Sequence, residues 1–406
     1  MERRLLVSVD RTTWPQASSY PTYPASFNQF PEFWDVNIPA MLLTIGFLTT
    51  PSHSSGVSLS EFWAWVRYLH AVAPDQELRL TKAFFELDPH QKTILSDDFG
   101  MGAPMYWLAR KLNLGQIADG RYFIDRVAAT VGAVAAKPKK RGPGKSPDFV
   151  ARDMNGIWHV VECKGTQTSG EYRASQIGTV GPPATGAVAQ KQTIQFPRGY
   201  SGQRLATGLY LAVENSPYSS GLHIVDPPGD EEFEVEADQM VFADDAIARA
   251  VGARSLRLAG FPATSSIISA PMGVSPSSRP TTGKYEQNRR EIVDEKQARA
   301  NEELKNRGDR ETFQSEGQPY RGRKVTISLP APLWIGRRMS TAITVRYGVG
   351  RHFLEEIRSR PFENDPIQET IPAIRELQPG TRVDGDARGA RLHVGKSFVA
   401  DLVFNK

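Results

Sequence analysis

The sequence predicts an α/β protein in which helices flank a mixed sheet. Two extended runs, Phe149 to Arg152 and Ile157 to Cys163, surround Met154-Asn155-Gly156, and Asn-Gly is a strong hairpin signal. Two further apolar runs, "ATGLYLAVE" from Ala206 and "SGLHIVDP" from Ser220, end in turn residues and read as strands. Between and before these runs lie stretches with apolar residues at helical spacing.

Composition sets the limits. At 406 residues and 40% apolar content, the chain is long enough for two or three domains with cores of ordinary size. Lys and Arg number 49 against 45 Asp and Glu, so the net charge of +4 is too small to announce a nucleic-acid binder, and local clusters must carry that argument. Cys163 is the sole cysteine, which excludes an intramolecular disulfide and a cysteine-rich zinc site and fits a reducing cytoplasm. The start "MERRLLVSVD" has only five apolar or small residues before Asp10, too few for a signal-peptide core. The best apolar run, Ile38 to Leu48, is about half the ~20 residues of a membrane span. A soluble, cytoplasmic protein without membrane contact is expected.

Along the chain, residues 1–95 read as an N-terminal helical and irregular region, with the first ~35 residues wrapping a surface without regular structure. "SLSEFWAWVRYLHAV" is a helix: Ser58 and Glu61 make a capping box, and Phe62, Trp65, Val66 and Leu69 give a core stripe. In residues 96–235, the core, Pro104 suits a first helical position, Met105, Leu108, Ala109 and Leu112 share a face, and Gly115 closes the helix. Asp97 and Asp98 then lie in the approach to that helix, where they also complement its dipole. A helix over "YFIDRVAATVGAV" precedes the loop "KPKKRGPGK", which packs five positive charges into nine residues. Such a run reads equally as solvated surface or as a track for an anionic substrate. "ATGAVAQKQTIQ" is helix-like and carries Gln190 and Lys191. Residues 236–283 read as a helix and a Ser/Pro/Thr/Gly linker. Residues 284–406 begin with a helix over 284–311, charged all round, with only Ile292, Val293, Ala300 and Leu304 to bury. It is expected to bridge domains or pair with a partner protein or second copy. A mixed or mostly β module completes the chain.

The hairpin admits two registers. With Asn155-Gly156 as a two-residue loop, Asp148 falls opposite Cys163, and Glu162 and Lys164 point to the other face. With Met154-Asn155-Gly156 as a three-residue turn and Gly156 left-handed, Asp148 falls opposite Glu162, their Cβ atoms ~5 Å apart. The second register gathers Asp148, Glu162 and Lys164 on one face, with Val161 and Cys163 on the other. Two carboxylates so close raise each other's pKa unless a cation lies between them, and Mg²⁺ takes one or two such ligands plus water and phosphate oxygens. Lys164 can then stabilise charge that develops on a phosphate. The plain alternative is a surface ion pair between Glu162 and Lys164 at a sheet rim, worth well under ~1 kcal/mol.

Pro147-Asp148, followed after the hairpin by Glu162-Cys163-Lys164-Gly165, resembles the PD-(D/E)XK nuclease superfamily, the fold of many restriction endonucleases. The resemblance covers about residues 96 to 228 and implies a restriction-endonuclease-like α/β core with a helical N-terminal region and a C-terminal mixed or mostly β module. It implies that Asp148 and Glu162 bind Mg²⁺, with Mn²⁺ as a substitute, and that Lys164 positions or activates water. It implies a third acid from the preceding helix, for which Asp98 is the candidate with Asp97 and Glu86 behind it, and a helix-borne Gln, which Gln190 matches. Lys191 and the loop residues Lys137, Lys139, Lys140, Arg141 and Lys145 are the candidate nucleic-acid contacts.

The expectation is therefore a Mg²⁺-dependent DNA endonuclease; by the same resemblance it looks like a bacterial anti-phage defence or restriction component. A non-catalytic nucleic-acid-binding or assembly subunit and an RNA-cleaving toxin are the rival readings. The seven histidines show no zinc spacing, and "TVGPPATGAVAQK" lacks the G-K-[ST] end of a phosphate loop. Cys163 is expected to be buried and inert.

Overall fold

The computed structural model describes the chain except residues 16–20, 53–67, 131–145, 180–185, 192–193, 228–232, 271–282, 307, 309, 336–337, 360–379 and 406. A seven-stranded mixed sheet is built from β1 (Glu2–Val9), β2 (Glu32–Asn37), β3 (Leu114–Asp119), β4 (Phe149–Asp153), β5 (Trp158–Thr166), β7 (Ser201–Tyr210) and β8 (Gly221–Val225). Its order is β2-β1-β8-β7-β5-β4-β3. β1 runs parallel to β8, β5 runs parallel to β7, and the other neighbours are antiparallel. The short β6 (Ile194–Gln195) and β9 (Phe233–Glu234) form a separate parallel pair.

The N-terminal segment is thus not irregular chain. Leu5 and Val7 alternate inward at 0% exposure while β2 and β8 take up the backbone on either side. The following apolar run is α1 (Ile38–Leu48), which Asn37 caps by accepting from the Ala40 N–H, and all its residues are buried. The region meant for the Ser58–Glu61 capping box lies outside the described residues, while residues 68–71 are helical with Leu69 buried. α2 (Lys82–Phe85) is a single short turn.

α3 (Pro89–Lys111) starts fifteen residues before the expected position, because Asp88 accepts from His90 and Gln91 N–H groups and Pro89 occupies the first turn. Pro104 is therefore interior. It removes one helical hydrogen bond, a cost of about 3 kcal/mol that the buried face from Leu95 to Ala109 outweighs. Asn113, at φ 52°, turns the chain out of the helix, and Gly115 belongs to β3. α4 (Gly120–Thr130), α5 (Gly170–Ile177) and α6 (Gly186–Lys191) follow. α7 (Met240–Leu258) packs on β3 and α4, and α8 (Pro262–Ile268) occupies part of the expected linker.

The charged helix is α9 (Gly283–Lys305): Ala300 and Leu304 are buried and Ile292 is 53% exposed. Its C-terminal end docks on α8, where Glu303 accepts from the Ala263 and Thr264 N–H groups. Beyond it, β10 (Glu311–Ser315), β11 (Gln318–Ile335), β12 (Arg338–Gly350), α10 (Arg351–Ser359), β13 (Thr381–Gly385), β14 (Gly389–Val394) and β15 (Phe398–Asn405) follow. The strands make an antiparallel sheet ordered β10-β11-β12-β15-β14-β13. This sheet is not a detached module. α1 touches β13, β14 and β15 as well as β2, β3 and α3, and one hydrophobic cluster runs from Leu5 through Val161 to Leu402. Among the described residues no helix is long and apolar enough to cross a membrane.

Candidate active site

The turn of the β4–β5 hairpin selects between the two registers. Asp153 N–H donates to Ile157 O at 2.9 Å, Gly156 N–H donates to Asp153 O at 3.1 Å, and Gly156 has φ 83°. The Asp153 side chain fixes this three-residue turn by accepting from Asn155 and Ile157 N–H groups, both at 2.8 Å. Phe149 then pairs with Val161, and one step further Asp148 comes opposite Glu162. Val161 and Cys163 enter the main core, while Trp158 and Val160 enter a second cluster with Val150, Phe123 and Phe196. Glu162 and Lys164 continue along that second face.

The two acids are clamped together. Asp148 N–H donates to Glu162 Oε2 at 2.9 Å, and Cys163 N–H donates to Asp148 Oδ2 at 2.8 Å. Lys164 Nζ contacts Glu162 Oε1, and its side chain remains 26% exposed. The surface ion-pair reading fails on burial, since Glu162 is 0% exposed. Burial, then the Asp148 charge, carries the Glu162 carboxyl up to about 8, and burial also raises Asp148 against the pull of Lys164. Burial alone would push the Lys164 ammonium down, but Glu162 and Asp148 carry it up. Carboxyls held this far above their ordinary range call for positive charge.

The third acid is a correction. Asp98 is 8% exposed on the buried face of α3, and its Oδ2 accepts from the Tyr68 hydroxyl. Among the described residues no group of three or more His, Cys, Asp or Glu is gathered to hold a metal, so Asp98, Asp148 and Glu162 do not form the expected set. Asp97, one residue earlier and exposed, is the acid that feels the hairpin. Partial loss of hydration pushes its carboxyl up, with Lys164 opposing and Asp148 adding. Glu86 is on the surface beside Lys82, at 3.7 Å. Counting helical spacing from Pro89 would have found this, because Leu95, Asp98, Phe99 and Gly102 share one inward face.

A contact without side chains brings α3 to the hairpin. A Cβ on Gly165 would lie 1.7 Å from Ser96 O, and one on Gly100 would lie 2.6 Å from Gly165 N. Helix and strand therefore touch backbone to backbone directly after Lys164. Gln167 secures the crossing, its Nε2 donating to Lys92 O at 3.1 Å and Ser96 Oγ at 2.9 Å.

Lys191 is a second correction. It shares the inward face of α6 with Ala187 and Val188, is 0% exposed, and donates from Nζ to Asp226 Oδ1 at 2.6 Å and Pro227 O at 2.8 Å. Burial lowers its pKa to about 8 against the pull of Asp226. An ammonium so enclosed cannot reach a phosphate. Gln190 is half-buried on α6, which packs on β5 and β7. Lys137, Lys139, Lys140, Arg141 and Lys145 lie outside the described residues. Cys163 is buried and its thiol is pushed up, by burial first and then by Asp148, consistent with an inert thiol.

Asp148 and Glu162 fit a divalent cation: two hard-oxygen donors on one face, both with raised pKa, beside one ammonium. No protein-family model, curated protein or solved structure matches the chain.

Proposed function

We propose that the chain is a metal-dependent nuclease with a restriction-endonuclease-like core, hydrolysing phosphodiester bonds of DNA with Mg²⁺ or Mn²⁺. The observation that carries this reading is the buried Glu162 carboxyl, raised to about 8, set opposite Asp148 and beside Lys164. Asp148 and Glu162 would hold the ion, which when bound supplies charge neutralisation at the phosphate and a more acidic water. The Cys163 and Asp148 N–H groups orient the two carboxylates, and the hairpin turn keeps them opposed. Lys164, with one side open to solvent, presents a donor to water or to a phosphate oxygen and stabilises negative charge developing there. Asp97 adds negative charge from α3. DNA is proposed as substrate on the strength of the motif resemblance.

Plasmid DNA incubated with Mg²⁺, Mn²⁺ or EDTA tests the reading. Cleavage with either metal, lost in EDTA and in both Asp148→Ala and Lys164→Ala, supports it. That no third acid is gathered with these two among the described residues favours one rival, a nucleic-acid-binding subunit that keeps the fold without catalysis. Binding without cleavage in any divalent metal would select that rival.

A further inference from the structure

Beyond Lys164 the same face of the seven-stranded sheet carries polar side chains that the metal site does not use. Lys164 of β5 pairs with Gly208 of β7, Gly208 with His223 of β8, and His223 with Ser8 of β1. Residues paired across neighbouring strands point to one face, so Lys164, His223 and Ser8 share it. Two strand spacings put His223 about 10 Å from Lys164 along this row.

Glycine at position 208 lets α5 lie on the row. A Cβ there would meet Ile177 Cδ1 at 2.6 Å and Arg173 Cγ at 2.8 Å. The Arg173 side chain crosses the sheet at this point, and its Nη1 donates to Gly221 O at 2.9 Å. Its Nε is buried and has no hydrogen-bond partner among the described residues. Ser8 Oγ and His223 Nδ1 lie 2.9 Å apart, and the Arg173 charge acts on that imidazole.

What Arg173 lacks is an acid. The enclosed guanidinium groups of Arg249 and Arg254 each meet a carboxylate, Asp245 at 2.7 Å and Asp119 at 3.1 Å. Arg173 is half-buried, and among the described residues no carboxylate comes within ion-pair distance of it. Burial lowers its pKa with no acid opposing. Burial and then the Arg173 charge lower the His223 imidazole, while Asp10, whose carboxylate accepts from the Thr12 N–H at 3.0 Å, pulls the other way. A partly desolvated guanidinium that has only a carbonyl for a partner is stabilised by an anion that supplies the missing counter-charge. Its planar fork suits phosphate oxygens.

The neighbour in the row indicates which anion this is. Lys164 is where the proposed reaction places the scissile phosphate, and a nucleic-acid strand carries further phosphates at short regular intervals. We propose that Arg173, with the Ser8–His223 pair beside it, binds a second phosphate of the strand whose scissile phosphate lies at Lys164. The identity of the anion rests on the nuclease reading, whereas the site itself rests on the unpaired guanidinium.

Fluorescence anisotropy tests it with the full chain in EDTA, where metal-dependent cleavage cannot intervene, on a labelled DNA duplex between about 50 and 200 mM salt. Arg173→Met should weaken binding several-fold and make the slope of log affinity on log salt shallower by about 0.9, the share of one phosphate contact. Arg173→Lys keeps the charge and should keep the slope, which a merely structural role for the arginine would not predict. Inorganic phosphate, at ionic strength matched with chloride, should raise the melting temperature of the parent and not that of Arg173→Met. None of these readouts needs cleavage, so a chain that binds DNA without cutting it gives the same result, and only the nuclease reading fails. An unchanged salt slope in Arg173→Met would overturn the proposal, as would phosphate that stabilises the parent and Arg173→Met alike. A parent that is stabilised by phosphate yet binds no DNA would overturn the assignment of the anion to a nucleic-acid strand.

Discussion

Asp148 gives its backbone N–H to the Glu162 carboxyl at 2.9 Å, so the two acids are joined by the hairpin's own backbone as well as opposed across it. Burial is the larger cause that raises the Glu162 carboxyl, and the charge of Asp148, held beside it, adds to the effect. Its folded pKa, about 8, lies above the ordinary 4.5, so between these values the folded state binds the proton more strongly than the unfolded state. Metal-free stability must therefore fall as pH rises through that window and level off above it. Thermal melts in EDTA at acid and alkaline pH should show a steeper loss for the parent than for Glu162→Gln. At the alkaline end the variant should melt at least about 2 °C higher, corresponding to roughly 1 kcal/mol. Parallel pH profiles would mean that Glu162 is not held protonated by its surroundings.

The Gly100–Gly165 crossing makes a second claim testable. A methyl group on Gly165 would meet Ser96 O at 1.7 Å, and backbone cannot rotate away as a side chain can. Gly165→Ala should force α3 off β5, costing about 1–3 kcal/mol of stability. Because Lys164 is the adjacent residue, activity should drop further than stability, by on the order of 10²-fold for a displacement near 1 Å. Comparing cleavage rate with denaturant midpoint separates the two. A variant with altered stability but full activity would show that the crossing does not set the site.

Legibility followed the reach of each signal. The hairpin was readable because Asn155-Gly156 and the alternation from Ile157 to Cys163 are local, but its register needed the Asp153 side chain, whose bonds to Asn155 and Ile157 N–H groups choose the three-residue turn. α3 was misread at its start because Pro104 carries the stronger local signal, whereas burial along the whole helix decides, and that moved Asp98 onto an inward face. Lys191 looked like a phosphate contact because its partner Asp226 is 35 residues away and no pattern links them. β1 is not legible locally because its partners, β2 and β8, are distant in sequence and supply the pairing that its eight residues lack on their own.

Neighbouring acids on α3 have different surroundings. Asp98 is buried against Tyr68, while Asp97 interacts electrostatically with Lys164 and Asp148. Asp98→Asn should act on folding, lowering stability by about 1–3 kcal/mol where the Tyr68 bond is weakened, with metal affinity unchanged in the folded fraction. Asp97→Asn should leave stability nearly unaltered and weaken metal binding or cleavage several-fold. Calorimetric metal titration of both variants decides, and the reverse pattern would return the third-acid role to Asp98.

A cation at the hairpin must displace the proton that Glu162 holds. At pH 7, one unit below about 8, most of the metal-free protein carries that proton, and binding of Mg²⁺ or Mn²⁺ between Asp148 and Glu162 requires the ionised form. Close to one proton should therefore be released per metal bound at pH 7, and few above pH 9, with apparent affinity rising across that range. Titration calorimetry in two buffers of different ionisation enthalpy reads the proton count directly. Glu162→Gln should abolish the release together with most of the affinity, while Lys164→Ala should keep the release, since the ammonium competes for the same carboxyl but supplies no ligand. Metal binding without proton release would place the ion elsewhere than on these two acids.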